Sequence, residues 1–425
     1  MAADGATTRE RGGGPTGEGR TSTSLPSCRL GTTRTGPALQ AAAALVAALA
    51  IAACDSPTFA DGTLALVNGT LVSGTGAGPV ADAVVVLDGA YIVAAGPRSR
   101  VRVGDVGQVV DVAGATILPG FVNAHVHDAF AGPRLETWAL AGVTTVRDEG
   151  IPAGRGWLPD LVAYRDDNWN EPRFARLVSA GYMMTAPGGY GRLFVASAEE
   201  ARSRADEQLD QGADILKVAV EDGIAGRTDL NILSTAALAA VIEVAHGRHT
   251  LVSAHVTDAR FLQTIVSAGV DDAAHVPWDP VPDSTLRQMI ARRIVLVPTL
   301  TVLEAYGALE GSQANLRRFV ALGGEVALGN DYTSPPQNGF PHFDLGMPMW
   351  EIRRMAEAGM SPMQIIVAAT RNAARVCGLA DRLGTLEAGK LADVLVVNGD
   401  PLRDLEALTD VRLVIHGGAV IRSAP

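Results

Sequence analysis

Ile117-Leu118-Pro119-Gly120-Phe121-Val122-Asn123-Ala124-His125-Val126-His127 is the stretch that decides the fold. It is an apolar run closed by two histidines spaced i, i+2. In a β-strand those positions share a face, so both imidazoles leave the end of a buried strand in one direction. That geometry suits chelation of a single metal ion. Taken alone, such a pair in a strand is more often incidental than a chelate. The rest of the chain supplies the weight: Lys217, His255, His275 and Asp331 each stand at or just past the end of a further β-like run.

Working outward, strands and helices alternate from 119 to 375. Gly142-Val143-Thr144-Thr145-Val146-Arg147, Phe174 to Ser179, Ala213 to Val218, Leu251 to His255, Val270 to Val276, Ile294 to Val297 and Glu325 to Gly329 read as strands. Ser197 to Gln211 reads as a helix opened by a Ser197/Glu200 capping box, and Ser234 to His246 as a helix stopped at Gly247. With the histidine strand this makes eight strands, the pattern of an α/β fold built as a (β/α)8 TIM barrel. In such barrels the active site lies at the C-terminal strand ends. His125 and His127 close the first strand, Lys217 the fourth, His255 the fifth, His275 the sixth and Asp331 the eighth.

The flanks differ in character. Residues 55–118 hold short β runs punctuated by glycine, with Asn68-Gly69 and Asp88-Gly89 as hairpin signals. Residues 376–425 have the same style, through Leu391 to Gly399 and Val414 to Ile421. Two matching β segments at opposite ends predict one small β-sandwich domain built from both. Residues 1–54 stand outside this scheme. A Gly/Ser/Thr/Arg-rich lead precedes an apolar run from Ala41 to Ala53 and then Cys54. The run is shorter than the roughly 20 residues a spanning helix needs and has the form of a secretory signal. Ile51-Ala52-Ala53-Cys54 resembles a bacterial lipobox, which implies export and a lipid anchor at Cys54. A plain signal peptide is the alternative, and acyl labelling at Cys54 separates the two.

Composition bounds the partners. A net charge of -11 and a pI near 5.2 exclude the basic footprint of a nucleic-acid binder. Three cysteines, Cys28, Cys54 and Cys377, make no disulfide framework. At 47% hydrophobic but 5% aromatic, the core is aliphatic. The oligomeric state is open.

The ordered motifs give a resemblance. Leu118 to His127, Gly142 to Asp148, Gly212-Ala213-Asp214-Ile215-Leu216-Lys217 and Leu383-Gly384-Thr385-Leu386-Glu387-Ala388-Gly389-Lys390-Leu391-Ala392-Asp393 resemble the amidohydrolase superfamily in its binuclear form, from about residue 62 onward. The imidazolonepropionase-like and Xaa-Pro dipeptidase-like branches are the most similar. The resemblance implies two divalent ions, with zinc suited to the imidazole and carboxylate donors. His125, His127 and Asp331 would hold the first ion, and His255 and His275 the second. Lys217 would lie between them as a CO2-derived carbamate, because an ammonium has no lone pair to give. An ion pair of Lys217 with Asp214 or Glu221 is the alternative.

The implied chemistry is hydrolysis of a C–N bond in an amide, cyclic amide or dipeptide. Metal-bound hydroxide attacks, since metal binding lowers the pKa of water to about 7, and Asp331 acts as general base and acid. A lactonase or ester hydrolase would use the same site. A non-catalytic binding lipoprotein is the reading from another class. Tyr190, standing where close relatives often carry histidine after paired glycines, is a candidate substrate contact. His342, in the Pro-rich loop 332–348, is another. His246 and His249 lie at a helix C-terminus, which favours cations, and His416 reads as structural.

Overall fold

The computed structural model describes residues 57–151, 159–224 and 229–424. The signal segment and Cys54 lie outside them. In chain order the first strands are β1 (Thr58–Leu71), β2 (Val80–Asp88), β3 (Tyr91–Pro97), β4 (Val101–Asp111) and β5 (Thr116–Pro119). The middle of the chain contributes β6 (Phe121–Val126), β7 (Val143–Asp148), β8 (Arg176–Ser179), β9 (Met184–Thr185) and β10 (Leu193–Phe194). It continues with β11 (Leu216–Ala219), β12 (Val252–His255), β13 (Asp272–Ala274) and β14 (Val295–Val297). The last strands are β15 (Val394–Val397), β16 (Val411–His416) and β17 (Ala419–Ser423).

Strands from both ends of this region form one mixed sheet, in the order β17-β16-β15-β5-β1-β2-β3 with β4 beside β1. The join is the antiparallel pairing of β5 with β15, which sets Leu118 opposite Leu395. Strands from the two flanks of the middle segment therefore share one hydrogen-bonded sheet. Both faces are apolar. Leu64 and Leu66 pack in one cluster with Val85 and Leu87, while Ala65 and Val67 pack in another with Val84 and Val86.

One of the two hairpin signals is a hairpin. Gly89-Ala90 turns β2 into β3, with Gly89 at φ 51°. Asn68-Gly69 instead lies within β1, where Asn68 takes φ 60° and the register with β2 shifts. Up to Val67 the strand pairs with β4, and from Thr70 it pairs with β5. The pair that favours a turn locally serves as a bulge where a long strand changes neighbour.

The middle strands are parallel, as β6-β7-β8 and β10-β9-β11-β12-β13-β14. Helices separate most of them, including Gly132–Leu140, Ala198–Asp210, Thr235–Gly247 and Ala259–Ala268. The strands β6, β7, β11 and β12 are buried at every position, as parallel strands covered on both faces must be. Glu325–Gly329, expected as a strand, makes only a bridge from Val326 to Leu296. Its backbone nonetheless accepts from Ala124 N at Leu328 O, 2.8 Å, so it lies against β6. Gly329 allows that approach, because a Cβ there would meet the His125 Cβ at 2.7 Å.

Helix ends differ from expectation in detail. Ser197 caps its helix by accepting from Glu200 N at 3.1 Å, but the Glu200 carboxylate turns to Ala196 N, not to Ser197 N. The next helix runs through Gly247, and the left-handed residue is His249, at φ 57°.

Candidate metal centre

Four histidines and one aspartate meet where β6, β12, β13 and the segment after Val326 end. His125 is the penultimate residue of β6, and His127 follows its last residue. His255 closes β12, and His275 comes just after β13. Asp331 sits in left-handed backbone at φ 54°, tied by its N–H to His125 O at 2.9 Å. Few residues other than glycine tolerate that region, and aspartate is among them. Of these five side chains only His127 has notable exposure, 26%; the others are buried.

Asp331 Oδ1 lies 3.3 Å from His125 Nε2 and 3.1 Å from His127 Nε2. Neither contact is aligned as a hydrogen bond, so Oδ1 is a buried oxygen without a donor. Two donors on one tetrahedral zinc, each about 2.0–2.1 Å away, stand about 3.4 Å apart. The nitrogen–oxygen spacings fit that value. Donor atoms of His125, His275 and Asp331 all fall within 4.8 Å of one another.

The outer partners fix where the imidazole protons sit. His127 Nδ1 faces a carbonyl, Gly150 O, at 3.2 Å, and must donate to it. His275 Nδ1 donates to Thr299 Oγ1, because that hydroxyl gives its own hydrogen to Pro298 O at 2.8 Å. His255 Nε2 donates to the Glu221 carboxylate at 2.8 Å. The lone-pair nitrogens are therefore Nε2 of His275 and Nδ1 of His255. The two face each other at 2.9 Å. Two acceptors at that separation repel unless a cation, a proton or a metal ion, lies between them. Such outer acceptors are what orient metal-binding histidines. His125 Nδ1 is the exception, buried with no partner.

The electrostatics are divided. Burial pushes His125 down to about 4 and holds His275 well below the usual histidine range, so both are neutral ligands at pH 7. Burial also opposes charge on His127, but the Asp331 carboxylate overrides it and lifts the imidazole to about 9. Asp331 stays ionised: burial would raise it, yet His125 and His127 hold it well below the carboxylate range.

Lys217 lies within β11 and is buried, with its ammonium paired to Glu149 and 3.4 Å from Ser253 Oγ. Glu149, and not Asp214 or Glu221, is its partner. Asp214 pairs with Arg165 at 2.7 Å, and Glu221 is taken by His255. Glu149 also meets Arg147 at 2.7 Å, and Arg147 in turn meets Asp272 at 2.9 Å. Arg147 and Glu149 point inward because alternate residues of β7 do, and the i, i+2 spacing that marks His125 and His127 marks them too. Tyr190 stacks on His255 with centroids 4.3 Å apart. His342 lies flat on Trp350 at 3.6 Å, and its ring contacts include none of the four imidazoles. His246 faces Asp271 at 3.0 Å, and buried His416 donates to Pro172 O at 2.9 Å.

Glu351 supports the site from behind. It is buried and accepts from Leu300 N, Thr301 N and Thr301 Oγ1, each at 2.8 Å, which pins the backbone beside Thr299. Burial raises its carboxyl to about 7 from the ordinary 4.5. A raised acid stabilises the fold below its unfolded pKa, and that contribution is lost as pH climbs to the folded one. The shift amounts to about 3 kcal/mol between pH 4.5 and 7. Urea unfolding of Glu351→Gln should therefore gain on the wild type by about that much across this window. A difference that stays constant with pH would contradict it.

The comparisons agree with this geometry. Residues 116–421 match the family model described as Amidohydrolase family. An imidazolonepropionase from Symbiobacterium thermophilum is 28% identical over 371 residues, 75% of this chain and 85% of that protein. A crystal structure of a Xaa-Pro dipeptidase with bound methionine superposes with a TM-score of 0.72 at 22% identity, over 85% of this chain and all of that one. A putative prolidase from Bifidobacterium longum gives 0.72 at 25% identity, over 85% and 95%. With its histidines and aspartate gathered at the strand ends and the match spanning most of its length, this chain belongs to the amidohydrolase family.

Proposed function

We propose that the protein is a metal-dependent hydrolase of C–N bonds, acting on an amide, a cyclic amide or a dipeptide at the mouth of a (β/α)8 barrel. The observation that carries this reading is the buried group of His125, His275 and Asp331, whose donor atoms all lie within 4.8 Å of one another. Imidazole and carboxylate donors suit zinc. A divalent ion held there supplies Lewis acidity toward a carbonyl and toward water. Asp331, ionised beside the donors, takes the proton from the attacking water and passes it to the leaving amine. Tyr190, kept neutral by burial that raises its phenol, is placed to donate to the substrate carbonyl. His342 remains a proposed contact, through the loop that carries it.

The metal count has two forms. His125, His127 and Asp331 with one ion, and His255 and His275 with a second, fit a binuclear site bridged by a carbamate on Lys217. That form requires Lys217 to leave Glu149, since a carbamate and a carboxylate would repel. The other form is one ion at His125, His275 and Asp331, whose donor atoms lie within 4.8 Å of one another. Substrates follow the named relatives: Xaa-Pro dipeptides, or small cyclic amides. Lactones are the runner-up on the same site. Export with a lipid anchor at Cys54 completes the proposal. The test is the purified protein reconstituted with zinc, with and without bicarbonate, assayed on dipeptides, N-acyl amino acids and lactones alongside metal analysis. Turnover with one or two ions per chain is expected, with bicarbonate dependence marking the binuclear form. Protein that binds no metal and turns over nothing would overturn the reading.

A further inference from the structure

We propose that Arg192 anchors a substrate carboxylate, so that this site takes C–N compounds with a free carboxylate close to the bond that is cut. The identity of that bond rests on the hydrolase reading above; the anchor does not. Two adjoining cavities of about 330 and 200 Å³ open beside the imidazoles. Tyr190 lines the first and His127 the second, while Met183 and Arg192 line both. These volumes suit a dipeptide-sized ligand, near the lower end of small-molecule clefts.

Arg192 is the only lysine or arginine among the described residues lining this mouth. Its exposed guanidinium makes no hydrogen bond or ion pair with any described residue. The nearby acid does not neutralise it, since the Asp128 carboxylate accepts from Ser334 N at 3.1 Å instead. A free guanidinium presents a planar fork of donors that matches a carboxylate bidentately. The remaining walls include apolar Met183, Ile151 and Leu230. One cation balances one carboxylate. A doubly charged phosphate would keep an uncompensated charge close to Asp128 and Asp331.

The backbone beneath Arg192 is held in place. Arg192 N and Leu193 N both donate to Met183 O at 3.1 Å, and Leu193 pairs with Met184 in the β9–β10 ladder. A Cβ on Gly189 would meet Thr185 Oγ1 at 2.4 Å, and one on Gly191 would meet Met183 O at 2.9 Å. The glycines press the loop down so that Tyr190 reaches His255 and Arg192 reaches the mouth. With the backbone already fixed, the freedom lost on binding is that of the Arg192 side chain alone. A dipeptide or N-acyl amino acid places its carboxylate one residue from the scissile carbonyl, on the Arg192 side of the imidazoles.

The test is calorimetric titration of the zinc-reconstituted full chain with N-acetyl-L-leucine and with its C-terminal amide. Wild type should bind the acid about 10–100-fold more tightly than the amide, as expected for charge-assisted hydrogen bonds. Arg192→Met should bring that ratio close to one without changing amide affinity, and Arg192→Lys should keep part of it. Equal binding of acid and amide by the wild type would overturn the anchor, as would a preference that survives in Arg192→Met. An Arg192-dependent preference without turnover of any C–N compound would leave the anchor standing and remove the hydrolase reading. Turnover without the preference would do the reverse.

Discussion

Asp331→Asn is expected to lower kcat by about 10²–10⁴-fold while leaving the fold intact, because the substitution removes the proton acceptor and the charge of a metal-facing carboxylate without changing its shape. Asparagine is isosteric with aspartate and is among the few side chains that accept the left-handed backbone Asp331 adopts at φ 54°. The backbone bond from Asp331 N to His125 O is kept as well. What disappears is the charge. The carboxylate is ionised at neutral pH, with burial outweighed by His125 and His127, so it starts each cycle able to take a proton. The same charge lifts His127 to about 9, so the variant should also shift the His127 titration downward. The measurement is kcat and melting temperature in parallel, with the His127 resonance followed by NMR against pH. Full activity would refute the proton-carrying role. A collapse of the melt would make the residue structural instead.

The positions of His125, His127, His255, His275 and Asp331 are legible in the sequence because each ends an apolar run, and strand geometry carries that spacing directly into space. The sheet shared by strands of both flanks is legible for a similar reason: strands of matching style need one another's edges. The groups that set the proton positions are harder to read. Thr299 follows His275 by 24 residues, and Glu351 lies 51 residues beyond the Leu300 it pins. Only tertiary packing brings them together. Glu149 shares the alternation along Arg147-Asp148-Glu149, but its pairing with Lys217 spans 68 residues, beyond what local spacing shows. Asn68-Gly69 shows local turn chemistry yielding to a change of strand partner at long range.

The largest effect on stability is expected at Arg147, which sits under the candidate metal centre with no exposed surface. Its guanidinium donates to the Asp272 carboxylate at 2.9 and 3.0 Å, to Ala124 O at 2.6 Å and to Val376 O at 2.8 Å, and it pairs with Glu149 at 2.7 Å. Arg147, Lys217, Glu149 and Asp272 thus form a buried network of two cations and two anions. Arg147→Met fills a similar volume but leaves Asp272 facing only the Ser253 hydroxyl and strips a donor from two buried carbonyls. Removing one member of a buried ion pair typically costs about 3–5 kcal/mol, because the remaining charge has no water to return to. Arg147→Met should therefore unfold at clearly lower urea, with the melt reduced by roughly 4–6 °C. Neutralising the orphaned acid as well, in Arg147→Met/Asp272→Asn, should recover about 1–3 kcal/mol through the coupling of neighbouring sites. If the double variant is no more stable than the single one, the penalty does not come from the stranded carboxylate. Since Arg147 also grips the carbonyl of Ala124, one residue before His125, a surviving single variant should bind zinc more weakly even where its fold persists.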